Sequence, residues 1–289
     1  MQVFLQTFIG GLSLGAIYAL VAMGFSIVYR TMGLVNFAHG SVVMVGAYIA
    51  STFYLTVALP FAVAMVVAVV VTALVGLIIE GVLRPLETKD VDLMLIGTIG
   101  FGIVLNAAVI VIWGATGRAV PTPGFSRPLN LGCIIIRPYD LVVIAVGAVA
   151  AVAMWWFLRG TKAGTAMQAV AMDPEAATAV GIRVGRSNAI AFAIGAALAA
   201  LAGGMAGPVL YVSPALSGVI GIKGFAAAIL GGFGNMPGAI VGGLLFGLID
   251  AFSAGWFHGF ADVVVYLVFA VIVVVRPEGI FGEQTVSRA

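Results

Sequence analysis

The sequence predicts an all-α polytopic membrane protein with about eight transmembrane helices. Of its 289 residues, 63% are hydrophobic and only 8% are charged, and the mean hydropathy is +1.22. A soluble domain carries about 25% charged residues, so this composition cannot cover a surface that faces water. Several apolar runs approach the roughly 20 residues that a helix needs to cross the hydrocarbon core. The 39 glycines favour close contact between helices in lipid, where small residues let backbones approach.

The apolar runs divide a single transmembrane domain, residues 1–289, into eight predicted spans and one shorter segment. The first run lacks the basic segment and cleavage pattern of a signal peptide, so we expect it to remain as a membrane helix. The shorter segment, residues 219–232, lies between Pro214 and a Gly-Asn-Met-Pro turn, and we expect a re-entrant or broken helix there. The eight spans are residues 5–29, 41–55, 61–83, 93–113, 139–158, 188–210, 238–256 and 263–275.

Two longer polar stretches separate some of these spans. Residues 114–138 contain four prolines and no clear period, so we expect an external loop with short strand pieces around residues 131–136. The one cysteine, Cys133, lies in this loop, and its being alone excludes an intrachain disulfide. Residues 159–187 are rich in Arg and Lys, which predicts a cytoplasmic position. Alternation along the chain then predicts an external N-terminus and an internal C-terminus.

The cytoplasmic stretch has the signals of two short helices joined at a capped corner. Asp173, Pro174 and Glu175 are typical of a helix start, with a capping side chain, a proline at the first position and an acid at the positive end of the dipole. Gly181 is a natural helix stop. Residues 164–172 favour the preceding helix. Helices this short need packing to be stable, so the stretch is either a docking element or a loop resting on its own membrane helices.

Motifs for catalysis and nucleotide binding are missing from the sequence. There is no nucleophile elbow, no His-Glu-x-x-His and no glycine-rich phosphate loop. Two distant histidines and one cysteine do not form a metal-binding pattern. We therefore expect a protein that is not an enzyme, has no cofactor of its own and binds no nucleic acid.

Few polar residues fall within the predicted spans, so each is a candidate functional residue. Asn36 and His39 are three positions apart and would share a helix face, where they either border a path or brace a broken helix entry. For Glu80 and Asp250, near span ends, a boundary residue or an interhelical hydrogen bond is the favoured interpretation. A path with few charges suits a neutral substrate better than a proton. The full set is Asn36, His39, Glu80, Asn106, Lys223 and Asp250.

A weak internal similarity is also present. Residues 33–55 and 219–250 each place a short, glycine-rich apolar segment after a long helix. In transporters such a pattern can mark two corresponding halves around a central site. Chance similarity among helices rich in Gly, Ala and Val is the favoured explanation.

Five short motifs spread over the whole chain carry a resemblance to a known family. They are Asn36-Phe37-Ala38-His39-Gly40, Arg84-Pro85-Leu86, Glu175-Ala176-Ala177 followed by Gly181, Gly231-Gly232-Phe233-Gly234-Asn235-Met236-Pro237-Gly238-Ala239, and Arg276-Pro277-Glu278-Gly279-Ile280-Phe281-Gly282. In this order they resemble the permease subunit of branched-chain amino acid ABC importers. Each motif is weak alone, and the ordered set is specific. The chain departs from the general ABC permease signature after Gly181, where the Ile-x-Leu-Pro ending is absent.

The resemblance implies one subunit of an importer in the bacterial inner (plasma) membrane. Its partners would be a second homologous permease, two cytoplasmic ATPase subunits that bind ATP and Mg, and a periplasmic or lipid-anchored binding protein. The substrate would be a neutral hydrophobic amino acid such as leucine, isoleucine or valine. The implied ATPase coupling residues are Gly164, Asp173, Pro174, Glu175, Ala176, Ala177 and Gly181. The translocation path candidates are Asn36, His39, Gly40, Gly234 and Asn235.

Two other functions stay open on the sequence. Importers with similar permeases carry urea, short amides or other amino acids. A self-contained secondary transporter or channel would need no ATPase and no capped helix pair on its cytoplasmic face.

Overall fold

The computed structural model describes residues 2–87, 91–124, 129–130, 135–257 and 259–282. Within these residues the chain forms eleven helices and one pair of two-residue strands. In chain order the elements are α1 Gln2–Met32, α2 His39–Leu55, α3 Phe61–Glu87, α4 Val91–Trp113, β1 Leu129–Asn130, β2 Ile135–Ile136, α5 Pro138–Gly160, α6 Lys162–Met172, α7 Pro174–Ala179, α8 Val184–Ala206, α9 Leu216–Gly231, α10 Met236–Trp256 and α11 Ala261–Val275.

The predicted all-α membrane class is confirmed. Six described helices, α1, α3, α4, α5, α8 and α10, are long and apolar enough to cross a membrane. The predicted second span forms α2, with 17 residues, and the predicted eighth span forms α11, with 15 residues. The short segment forms α9, with 16 residues. At 1.5 Å per residue these three are about 22 to 26 Å long, less than the roughly 30 Å hydrocarbon core.

Most helices differ from their predicted spans by a few residues, and the sixth span is displaced at both ends. Helix α8 begins at Val184, so it takes four residues from the polar stretch, and it ends at Ala206 instead of residue 210. Pro208 explains the early end, because its ring excludes an α-helical backbone hydrogen bond and restricts the residue before it.

Helix α1 lies at the centre of the bundle. Its most apolar window is 89% buried, against 17% for that of α4, which lies at the periphery. Helices α1 and α10 pack backbone to backbone: a Cβ on Gly15 would lie 2.8 Å from the Leu244 Cα. Glycine is therefore required there by the close approach of the two helices.

The strand pair lies at one end of the bundle. Leu129 pairs with Ile136 and Asn130 with Ile135, in antiparallel register. Strand β2 lies inside the range predicted for strand pieces, while residues 131–134, including Cys133, fall outside the described residues. At the same end Arg118 and Val212 exchange backbone hydrogen bonds of 2.8 and 3.0 Å. We call this the strand end.

The opposite end collects basic residues. Arg30 lies in the last turn of α1 and Arg84 in the last turn of α3, and the Arg84 guanidinium donates to the carbonyl of Gly185 at the start of α8 over 3.3 Å. Arg159 at the end of α5 and Lys162 at the start of α6 lie at this end, where α6 and α7 pack against α8. We call it the basic end. This clustering is what the positive-inside rule expects of a cytoplasmic face.

Candidate translocation and coupling sites

The predicted capped corner between two short helices is present. Helix α6 ends at Met172 and α7 begins at Pro174. One carboxylate oxygen of Asp173 accepts hydrogen bonds from the backbone N–H groups of Glu175, over 2.9 Å, and Ala176, over 3.0 Å. Two of the N–H groups left unpaired by a helix start are thereby satisfied, as expected of an N-cap.

The predicted stop at Gly181 is also present. Gly181 has a φ of +87°, in the left-handed region. Its N–H donates to the Thr178 carbonyl over 2.9 Å, and the Ile182 N–H donates to the Ala177 carbonyl over 3.0 Å. These two bonds define a Schellman ending, which requires a residue that tolerates positive φ.

The corner packs against the membrane helices on one side. A Cβ on Gly164 would lie 2.6 Å from the Leu158 Cα, so α6 meets the end of α5 through backbone. The Gln168 side-chain amide donates to the Leu158 carbonyl, and Met167 and Val170 are buried. On the other side Met172 is 88% exposed and Val180 is 77% exposed. The stretch therefore rests on its own helices and also offers a free apolar surface.

An arginine at the C-terminal end of α3 connects this helix to the region of the corner. Glu80 is buried, and its carboxylate accepts from the Arg84 guanidinium over 3.0 and 3.1 Å. Because Arg84 also reaches Gly185, α3 and the start of α8 are joined next to the corner.

The path candidates near α2 form a buried helix junction. The His39 ring packs on Phe25, with ring centroids 4.5 Å apart, and lies against Gly24. Among described residues its Nε2 has no hydrogen-bond partner. A Cβ on Gly40 would lie 3.0 Å from the Gly221 Cα, so α2 and α9 cross there.

The expectation that Asn36 and His39 share a helix face is wrong. Helix α2 begins at His39, and Asn36 lies in the turn before it, where its side-chain oxygen accepts from the Ala38 N–H over 3.1 Å. Asn side chains compete with helical backbone bonds in this way, which explains why the helix starts later. Asn36 therefore braces the entry to α2.

The other two path candidates shape the turn between α9 and α10. Gly234 has a φ of +82° and lies against the Tyr29 ring. Asn235 caps α10, since its side-chain oxygen accepts from the Gly238 N–H over 3.0 Å, and its amide donates to the Phe281 carbonyl over 3.0 Å. The C-terminal motif is thus tied to this turn.

An aromatic cluster joins the two sets of candidates. Phe225 lies between Phe25 and Phe233, with centroid distances of 5.5 Å to each, and Tyr29 packs on Phe233 at 4.6 Å. Phe37 adds to it at 6.0 Å from Phe225. Sequence reasoning missed this cluster. The i, i+4 spacing of Phe25 and Tyr29 was the available signal.

A groove of about 550 Å³ runs along α2 and α4. Two polar side chains, Ser41 and Asn106, face an otherwise apolar lining. Asn106 is held by hydrogen bonds to the Ser217 hydroxyl, over 3.0 Å, and to the Pro214 carbonyl, over 3.4 Å. Of the predicted intramembrane candidates, Asn106 is the one that lines this groove. The lining residues are Phe37, Ser41, Ile99, Gly102, Ile103, Asn106, Ala107 and Ile110.

Two further candidates, Lys223 and Asp250, form a buried ion pair away from the groove. The Lys223 ammonium donates to both carboxylate oxygens of Asp250, over 2.9 and 3.0 Å. It also pairs with Asp262 at 3.0 Å, and the Tyr18 hydroxyl donates to Asp250 over 2.6 Å. Tyr18 and Asp262 were not singled out from the sequence. In the described part of the chain no group of His, Cys, Asp and Glu has the arrangement of a metal site.

Six described helices are long and apolar enough to cross a membrane, which defines a multi-pass membrane protein, and the groove along α2 and α4 has no ionised side chain in its lining. Residues 7–275 match the family described as branched-chain amino acid transport system / permease component, and the chain belongs to this family.

Two relatives match almost the whole chain. It is 34% identical to the high-affinity branched-chain amino acid transport system permease protein BraD of Pseudomonas aeruginosa, over 99% of this chain and 98% of BraD. It is also 34% identical to the corresponding permease LivH of Escherichia coli K12, over 99% of this chain and 97% of LivH. A structure of PsaBC from Streptococcus pneumoniae in complex with Fab has a similar fold, with a TM-score of 0.52 and 14% identity, covering 94% of this chain and 90% of that one.

Proposed function

We propose that this chain is one of two permease subunits of an ATP-driven importer for branched-chain amino acids. The observation that carries the proposal is the groove along α2 and α4, in a chain whose family is that of branched-chain amino acid permeases. The named function of BraD and LivH supports the same substrate class.

The groove lining suits a neutral amino acid with an apolar side chain. Ile99, Ile103 and Ile110 offer apolar surface, while Ser41 and Asn106 offer hydrogen bonds to a polar backbone group. A lining without ionised side chains gives the zwitterion no strong site in which to remain, and conduction requires that binding be weak enough to leave.

A second permease would complete the path. The groove is open on one side, where Ile99 and Ile103 are exposed. One wall cannot enclose a substrate, so a second, homologous chain facing α4 would supply the other wall. The ATPase subunits, which bind ATP and Mg, would dock at the basic end on the surface around Met172 and Val180. The binding protein would deliver substrate at the strand end, on the outer side of the bacterial inner membrane.

The substrate class is tested by competition. The complex is purified through a tag on this chain with its co-expressed partners and reconstituted in vesicles, and uptake of labelled leucine is measured. We expect an excess of about 100-fold of isoleucine or valine to suppress uptake by mass action, and the same excess of urea or acetamide to leave it unchanged. Suppression by urea or acetamide, and not by isoleucine or valine, would assign the chain to an importer of another substrate.

The entry to α2 gives a separate prediction. Asn36→Leu removes the oxygen that accepts from the Ala38 N–H and should lower leucine uptake at least about tenfold, since the turn that leads into α2 loses its side-chain hydrogen bond. Asn36→Ser keeps an acceptor at that position and serves as the matched control, with uptake within about twofold of wild type. Equal uptake by wild type, Asn36→Leu and Asn36→Ser, at equal amounts of assembled complex, would show that Asn36 has no role in transport.

A further inference from the structure

We propose that the buried ion pair of Lys223 and Asp250 sets the position of α9 and thereby the shape of the groove, which makes both of them positioning residues for transport. This inference rests on the proposed function of the groove.

Helix α9 has two functional faces. Ser217 and Gly221 are one turn apart and face the groove helices: Ser217 bonds to Asn106 of α4, and Gly221 meets Gly40 of α2. Lys223 follows Gly221 by two residues, about 200° around the helix at 3.6 residues per turn. Its side chain therefore leaves α9 on the side away from the groove.

The contacts on the groove side bring α9 close but define its register weakly. Gly221 and Gly40 touch through their backbones, with a distance of 2.8 Å from a Cβ built on Gly221 to the Gly40 Cα. Two glycines have no side chains that interlock, so a small slide or rotation of α9 meets little resistance at this crossing. One hydrogen bond, between Asn106 and Ser217, adds a directional contact.

The contacts on the opposite side are directional and charged. Lys223 reaches Asp250 of α10 with two bonds of 2.9 and 3.0 Å and Asp262 of α11 with one contact of 3.0 Å. Tyr18 of α1 donates to Asp250 over 2.6 Å. Two neighbouring helices thus contact the ammonium group of α9, and a third, α1, is joined to it through Asp250.

Burial makes this arrangement selective for one position of α9. Lys223 and Asp250 are both buried, whereas the Asp262 side chain is 74% exposed. An intramembrane charge is costly unless it meets its partner, so a displaced α9 would separate a buried ammonium from a buried carboxylate. In coiled coils a single buried Asn fixes the register of packed helices, and under the proposal this ion pair has the same role.

The position of α9 is measured by disulfide formation. In a chain with Cys133→Ser, the replacements Asn106→Cys and Ser217→Cys place two thiols where the present side chains are in hydrogen-bond contact. Oxidation of the assembled complex in membranes should cross-link them readily. Lys223→Met and Asp250→Asn are then added together, so that no buried ion is left without a partner. The rate of disulfide formation should fall at least about fivefold because α9 is free to move.

The matched control neutralises another buried ion pair. Glu80→Gln with Arg84→Met removes an ion pair whose two members both lie on α3, and cross-linking should stay within about twofold of the parent. Cross-linking at the parent rate in the Lys223 and Asp250 double variant would overturn the proposal. If that variant does not assemble, Tyr18→Phe replaces it: loss of the hydroxyl should slow cross-linking at least about threefold, and a rate within the twofold range of the control would overturn the proposal equally.

Transport then separates positioning from folding. With Asn106 and Ser217 intact, the double variant should raise the leucine concentration for half-maximal uptake at least about fivefold, which a smaller amount of intact protein would not do. An unchanged half-maximal concentration with a lower maximal rate contradicts a positioning role. Because cross-linking does not depend on transport, absence of leucine uptake in the wild-type complex counts against the proposed function alone.

Discussion

Replacing Gly181 with valine should abolish substrate-stimulated ATP hydrolysis in the assembled importer, and replacing Asp173 with alanine should weaken it. Gly181 has a φ of +87°, and a residue other than glycine in such a conformation costs about 1 to 3 kcal/mol, with a β-branched side chain at the upper end. Apart from its two chain neighbours, no described residue has a heavy atom within 4 Å of a Cβ built there, so we expect backbone strain to be the main cost. Asp173→Ala removes a cap worth about 0.5 to 2 kcal/mol.

The effect is large because both ends of α7 are defined by these residues. Helix α7 has six residues and cannot persist without its cap and its stop. If α7 frays, force from an ATPase docked on Met172 and Val180 no longer reaches α8 through a rigid element.

Two matched variants distinguish strain at the corner from general damage. Gly181→Asn should retain stimulation, since asparagine tolerates the left-handed region. Gly114→Val introduces the same kind of strain at the strand end, where Gly114 has a φ of +86°, and should leave the ratio of stimulated to basal hydrolysis unchanged. If Gly181→Val hydrolyses ATP like wild type in reconstituted vesicles, residues 159–187 are an ordinary loop and the coupling assignment is wrong.

The second large effect is expected from filling the groove. Ala107→Trp places an indole in the lining of α4 and should lower leucine uptake at least about tenfold, because the added side chain occupies space that the substrate needs. Ala108 is the matched control: it is also exposed on α4 but does not line the groove. Ala108→Trp should leave uptake within about twofold of wild type.

The amount of assembled complex between this chain and the second permease is measured in the same samples. If Ala107→Trp leaves both uptake and assembly at the wild-type level, the groove is a lipid-facing depression and the path lies elsewhere. Equal losses in both variants would show that α4 tolerates no bulk on either face, and would remove the groove as the explanation.

The sequence predicts the coupling corner well because its signals are local. Asp173, Pro174 and Gly181 each act on backbone groups within a few residues, so capping rules suffice to place α7. The long spans were predictable for a similar reason, since length and hydropathy are properties of one segment.

The groove and the ion network depend on contacts between distant segments. Asn106 was a candidate from its polarity alone, but its partner Ser217 lies 111 residues later. Lys223 and Asp250 were both singled out, yet nothing local joins them to Tyr18, 232 residues before Asp250. Asn36 shows the opposite failure, because a local turn replaced the helix that its spacing with His39 suggested.

The central claim is that this chain conducts branched-chain amino acids only when ATP is hydrolysed on partner subunits. The most direct measurement is the accumulation of labelled leucine in vesicles that hold the complex, with the binding protein at the strand end and ATP at the basic end. The account predicts accumulation above the external concentration with ATP, and none with a non-hydrolysable analogue or with an ATPase subunit that cannot hydrolyse ATP. Accumulation that persists without hydrolysis, driven by an ion gradient, would contradict it and assign the chain to the secondary transporters.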